Sequence, residues 1–156
     1  SSDATKSVRL WLNNTKKISQ KYSKLIKYQY SEAYMDSFNG RICTSFKKLP
    51  KINPDFIYLD GPDQFNINGN KNGINLNHND FMPMSSDILK IEHFLKPGTI
   101  IVVDGRAANS RFLKTNLQRD WRYGYNQTND QHIFFLKEQA LGKLNQKQLN
   151  FYFGKQ

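Results

Sequence analysis

A chain of 156 residues with 38% apolar and 13% aromatic side chains is long enough to bury about two-thirds of its unfolded surface in one core, and too short for two ordinary domains. Its net charge of +10 is spread over almost every segment and so points to no single polyanionic partner, while Cys43, the one cysteine, excludes a disulfide framework or multi-cysteine zinc site and fits a reducing compartment such as the cytoplasm. No apolar run reaches the roughly 18 residues a bilayer requires, and the first residues lack the order of a signal peptide, so a soluble chain with no membrane partner is expected.

From Ser7 to Leu25 the apolar Val8, Trp11, Leu12, Ile18, Tyr22 and Leu25 recur near the helical period, which predicts a surface helix with a solvated basic side at Lys16, Lys17, Lys21 and Lys24. Ile26–Tyr30 reads as a short strand, followed by a turn or helix through Glu32–Phe38 and a break at Gly40. Cys43 reads as a packing residue rather than a nucleophile. The continuous bulky run Asp55–Asp60, bounded by Pro54 and Gly61-Pro62, predicts a strand buried on both sheet faces. Thr99–Asp104 repeats that pattern between Pro97-Gly98 and Gly105.

Between these runs Ser85 or Ser86 caps a helix with Ile88, Ile91 and Leu95 on one face, the crossover of a βαβ unit. A right-handed crossover brings the carboxyl ends of both strands to one side of a parallel sheet, so that Asp60 and Asp104 border one crevice. Asn109 to about Leu117 predicts a covering helix, and Trp121–Tyr125 with His132–Leu136 a hairpin. Leu141, Leu144, Leu149, Phe151 and Tyr152 form either a docking helix or an irregular seal. The Gly- and Asn-rich segment 61–83 is too long for an ordinary βα connection and reads as a lid or an insertion.

Asp60 and Asp104 are suited to binding a hard cation, orienting a substrate hydroxyl or capping turns. In the lid, Asp63, His78 and Asp80 carry polar chemistry beside Phe65, Ile67, Phe81 and Met82, and His78 has the titration range of a general acid or base. His78, His93 and His132 have no metal-triad spacing, and His93 falls on the crossover helix in a structural or surface role. Arg106 and Arg111 either fix an anion or form surface ion pairs. Asp3 and Glu32 read as terminal and solvated positions.

The series Asp55-Phe56-Ile57-Tyr58-Leu59-Asp60-Gly61-Pro62-Asp63, Met82-Pro83-Met84-Ser85 and Leu95 through Gly105, with the later helix and hairpin, resembles the second half of a class I S-adenosylmethionine-dependent methyltransferase. The resemblance implies a single α/β domain over residues 1–156. Its sheet would be Rossmann-like and mostly parallel, with a C-terminal antiparallel hairpin. Asp55–Asp60 and Thr99–Asp104 look like the family's fourth and fifth strands, and Ile26–Tyr30 like its third, so the chain starts after the second. The Gly-rich cofactor turn of the family has no counterpart, and Asn68–Gly73 lacks the flanking strand and helix to replace it.

The resemblance therefore implies an N-terminally incomplete domain, either a fragment or a reduced relative. When complete it would transfer methyl groups to a small-molecule or glycan acceptor, and alone it would be inactive. Asp104, Asp60 and His78 take the catalytic positions; Ser31, Glu32, Ala33 and Asp60 the S-adenosylmethionine contacts; Asp63, Arg106 and Arg111 the substrate contacts. Asp60 and Asp104 also match a divalent-cation site in some relatives, with Gly105 where a second polar ligand often stands. A missing N-terminal segment or a second copy would be the protein partner. The competing expectation is a noncatalytic basic module that binds nucleic acid through Lys/Arg loops and exposed Tyr or Trp rings.

Overall fold

The computed structural model describes Tyr22, Leu25 and residues 29–154. The chain divides into two compact units, Ser1–Tyr30 and Ser31–Gln156. In the first, Tyr22 is helical, Leu25 lies in a turn, and Gln29 and Tyr30 carry no regular structure. Most of the helix expected over Ser7–Leu25, the first residues of the Ile26–Tyr30 strand, and Asp3 lie outside the described residues.

The second unit opens with a hairpin. Strand β1 (Ala33–Phe38) pairs antiparallel with β2 (Arg41–Phe46) across Asn39-Gly40, whose φ angles of 48° and 77° suit a two-residue turn between twisted strands. The turn or helix expected over Glu32–Phe38 is thus a strand. Buried Ala33 and Met35 alternate with less buried Tyr34 and Asp36, and pairing with β2 overrides the local helix-forming tendency of Glu32-Ala33. The segment 61–83 is not structureless either: it makes a 3-10 turn at Gln64–Asn66 and the short strand β4 (Ile67–Asn68), parallel to β1. The resulting sheet has the order β2-β1-β4.

A second sheet joins β3 (Phe56–Leu59), β5 (Ile100–Asp104), β6 (Trp121–Asn126) and β7 (Gln131–Leu136) in the order β3-β5-β7-β6. The two runs that end in Asp60 and Asp104 are parallel neighbours, but β7 runs antiparallel to both β5 and β6. The mostly parallel Rossmann-like sheet implied by the resemblance is therefore overturned. Among the described residues there are two mixed sheets, with only β1/β4 and β3/β5 parallel. The physical reason is connection length: the short turns at Asn39-Gly40 and between β6 and β7 can join only antiparallel strands, whereas β3 and β5 have a long crossover between them. β3 also departs from burial on both faces. Phe56 and Tyr58 are 57% and 50% exposed, and only Ile57 and Leu59 turn toward the core.

That core lies between the four-stranded sheet and two helices, α1 (Asp87–Ile91) and α2 (Ala107–Asn116). Ile101, Val103, Phe134 and Leu136 pack with Ile88, Leu89, Leu95, Phe112 and Leu113, each buried side chain contributing about 1.5–3 kcal/mol. Buried Cys43 of β2 joins the cluster. Ser86 precedes α1 without capping it; its hydroxyl lies 2.9 Å from Ser45 Oγ. Asn109 falls inside the first turn of α2 and accepts the Ser85 amide at 3.1 Å, so the helix begins earlier than a cap at that residue predicts. The tail resolves as helix α3 (Lys143–Tyr152), whose Asn145 donates to the Pro97 carbonyl at 3.0 Å. No helix of the described residues is long and apolar enough to cross a membrane.

Two polar devices hold these parts in register. Buried Glu92, in the 3-10 turn after α1, accepts the Gln118 amide at 2.8 Å, the Arg119 amide at 2.9 Å and the Trp121 indole N–H at 2.9 Å through one carboxylate oxygen. Arg119 returns donors to the carbonyls of Glu92 (2.8 Å) and Leu95 (2.5 Å), and pairs with Glu138 at 2.5 Å. On the smaller sheet, Asp36 accepts Ser45 Oγ and Lys90 Nζ, each at 2.7 Å. Burial pushes the Asp36 pKa up, but the bonds from Lys90, Ser45 and the Ser37 amide outweigh it and lower the value from 3.8 to about 2.

Glu92→Ala strands three N–H donors beneath the hairpin and is expected to cost roughly 3–5 kcal/mol, read as a fall in the urea midpoint at constant slope. For Asp36 the folded pKa lies below the unfolded one, so its carboxylate stabilises the fold above about pH 4 and loses that contribution as pH falls toward 2. Urea midpoints of the wild type should drop across that window, and those of Asp36→Asn should drop less.

Candidate functional site

The β3/β5 register pairs Leu59 with Val103, so Asp60, the first residue past β3, stands beside Asp104, the last residue of β5, which still pairs with Gln131 of β7. They line one crevice of about 390 Å³ with Gln64, Met82, Gly105, Arg106 and Asp130. Ligand sites commonly sit beyond the carboxyl ends of parallel strands, where strand sequence ends and turn sequence begins.

Each carboxylate has its own partner. Asp104 accepts the Tyr58 hydroxyl from the neighbouring strand, and this bond, with some burial and the Asp104 charge, pushes the Tyr58 phenol pKa above its usual range. Arg106 holds Asp60: its Nε lies 3.4 Å from Asp60 Oδ1, while Nη1 donates to the Pro62 carbonyl at 3.1 Å. The guanidinium thus ties the first turn after β3 to the start of α2. Asp130 comes from the β6–β7 turn. Gly105, at φ 55°, directs its N–H to the Asp130 carbonyl at 2.8 Å, and the Asp130 carboxylate accepts the Tyr125 hydroxyl at 2.8 Å. That bond raises the Tyr125 pKa.

The remaining sequence-derived residues do not line the crevice. Asp63 caps the Gln64–Asn66 turn by accepting the Phe65 amide at 3.1 Å, which leaves Gln64 to reach the crevice. His78 accepts the Asp80 amide at 3.1 Å and packs its ring 4.8 Å from Phe81. Arg111 is exposed on α2. Ser31 and Glu32 close the β1–β2 hairpin, the former accepting the Lys48 amide and the latter pairing with Lys47, and Ala33 is buried in β1. Sequence reading missed Asp130 and Gln64. The signal for Asp130 was its place in the polar turn before β7, but only the Gly105 contact brings it to β5.

These positions do not build a cradle for S-adenosylmethionine. Ser31, Glu32 and Ala33 are spent on hairpin pairing, and Asp60 faces a guanidinium. A divalent cation takes six or more oxygens, and the paired Asp60 and hydrogen-bonded Asp104 fit that demand poorly. Among the described residues no group of three or more His, Cys, Asp or Glu side chains is placed to hold a metal. No family model, curated protein or solved structure matches the chain.

Tyr58 should titrate above free tyrosine, and Asp104→Asn should bring it back toward 10, because an amide loses the charge that holds the phenol proton. Ring-labelled tyrosine NMR across pH 8–12 reads this directly; an unchanged Tyr58 would show that the bond does not form in solution.

Proposed function

We propose that the crevice is the acceptor side of an S-adenosylmethionine-dependent methyltransferase acting on an oxygen or nitrogen nucleophile. What supports the reading is the side-by-side ending of two parallel strands in Asp60 and Asp104, together with the sequence resemblance around them. A carboxylate held at a strand end costs little to reorganise and has acceptor capacity to spare.

In this reading Asp104 is the catalytic residue. Its Oδ2 already accepts Tyr58, and its other oxygen accepts the nucleophile's O–H or N–H, orients the lone pair and takes the proton. Asp60 contributes a second acceptor on the rim, and Arg106 positions it. We expect this chain alone to bind S-adenosylmethionine poorly and to show little methyl transfer, because its sequence carries no Gly-rich strand-to-helix turn of the dinucleotide-binding kind. The free thiol of buried Cys43 suits the cytoplasm, where we place this activity.

The test uses the full-length protein after a methyl-transfer screen has found an acceptor. Asp104→Asn should keep the fold and cofactor affinity while lowering the chemical-step rate about 10–150-fold, equivalent to about 1.4–3 kcal/mol. Circular dichroism, cofactor affinity and single-turnover rates decide it: unchanged chemistry at saturating cofactor and acceptor removes the assignment, and loss of folding makes Asp104 structural.

A further inference from the structure

The β6–β7 hairpin carries an aromatic surface beside the crevice. Tyr125 and His132 are cross-strand partners with ring centroids 4.6 Å apart at 27°. Tyr123, one step diagonal, lies 6.0 Å from His132 at 19°, and its hydroxyl is 2.8 Å from His132 Nδ1. Tyr123 and Tyr125 are 39% and 50% exposed. Lys114 of α2 sets its ammonium 4.2 Å from the Tyr123 ring centre. The Tyr125 hydroxyl donates to Asp130, and Asp130 lines the crevice, so the rings and the crevice are joined by one hydrogen bond.

We propose that crevice and rings form one site for an oligosaccharide: one sugar ring sits at the strand ends among Asp60, Asp104 and Asp130, and the next passes Asp130 to lie against the face of Tyr125 turned away from His132. The proposal rests on the crevice being the acceptor site and names the acceptor's class. A saccharide presents two chemistries in alternation. Its hydroxyls donate to carboxylates, which accept only, and its C–H faces meet the electron-rich faces of aromatic rings. The crevice supplies the first partner and the hairpin the second.

The charge distribution selects this ligand over a nucleic-acid strand. The chain as a whole carries +10, yet the crevice sets three carboxylates against Arg106, itself committed to Asp60. A phosphate backbone needs cations along its track and meets repulsion here. A sugar's neutral hydroxyls do not.

Saturation-transfer NMR on the purified chain, without cofactor, tests the site with cellotetraose, chitotetraose, maltotetraose and mannotetraose, and with a short single-stranded RNA. One tetrasaccharide should bind, and its monosaccharide should bind more weakly because the ring on Tyr125 is lost. Tyr125→Ala and Asp130→Asn should each weaken binding about tenfold with the amide spectrum otherwise intact, while Arg111→Ala should change nothing. No saccharide binding, binding indifferent to Tyr125→Ala, or RNA binding that Tyr125→Ala abolishes would overturn the proposal. Because no methyl transfer is read, the two readings fail separately. Saccharide binding with Asp104-independent chemistry sinks the methyl-transfer assignment alone, and Asp104-dependent methylation of a non-saccharide acceptor sinks the saccharide site alone.

Discussion

The buried carboxylate of Glu92 is the constraint on which the larger sheet's surroundings depend. One oxygen receives three N–H donors from residues 118–121, and the Arg119 guanidinium closes the knot against backbone carbonyls and Glu138. A buried carboxylate satisfied by hydrogen bonds adds little net stability, but removing it leaves its donors without water or partner. Its value is geometric. The knot locks the turn after α1, the end of α2, the start of β6 and the residues just beyond β7 to one another, which fixes where the hairpin lies.

The position of the hairpin in turn shapes the crevice. Two walls come from the adjacent ends of β3 and β5, and a third from Asp130 in the turn between β6 and β7. Gly105 makes that third contact possible, since its left-handed backbone lets the main chain leave β5 and meet the Asp130 carbonyl in one residue. Gln64 and Met82 close the remaining side from a segment anchored by Arg106, Asp63 and the short β4 pairing. Carboxylates on strand ends and on a locked turn are thus faced by residues on a longer connection, an arrangement suited to holding reacting groups still while admitting a ligand.

The Tyr–Asp pairs give the site its electrostatic character. Tyr58 and Tyr125 each donate to a crevice carboxylate, and in both cases the bond holds the phenol protonated to higher pH. Each tyrosine also presents an exposed ring. The same residue therefore fixes an acceptor oxygen and offers an apolar surface next to it, which links the hydrogen-bonding of the crevice to the stacking surface of the hairpin.

Local signals in the chain determined the two bulky runs with their terminal carboxylates, the hairpin from Trp121, the helices flanking β5 and the packing role of Cys43. In each case the information sits in neighbouring residues, as apolar runs, Pro-Gly stops and alternation. Tertiary structure decided the rest. Asn39-Gly40 reads locally as a break and becomes a hairpin turn only when Arg41–Phe46 returns to pair with β1. Ile67–Asn68 is too short to announce a strand without β1 beside it. The exposure of Phe56 and Tyr58 follows from the edge position of β3, and the mixed direction of the sheet from where β7 inserts. Glu92 looks like a solvated polar residue until Gln118, Arg119 and Trp121, more than 20 residues further along the chain, reach it. Such positions are set by which distant groups satisfy a buried donor or acceptor, and that choice exists only once the chain has folded.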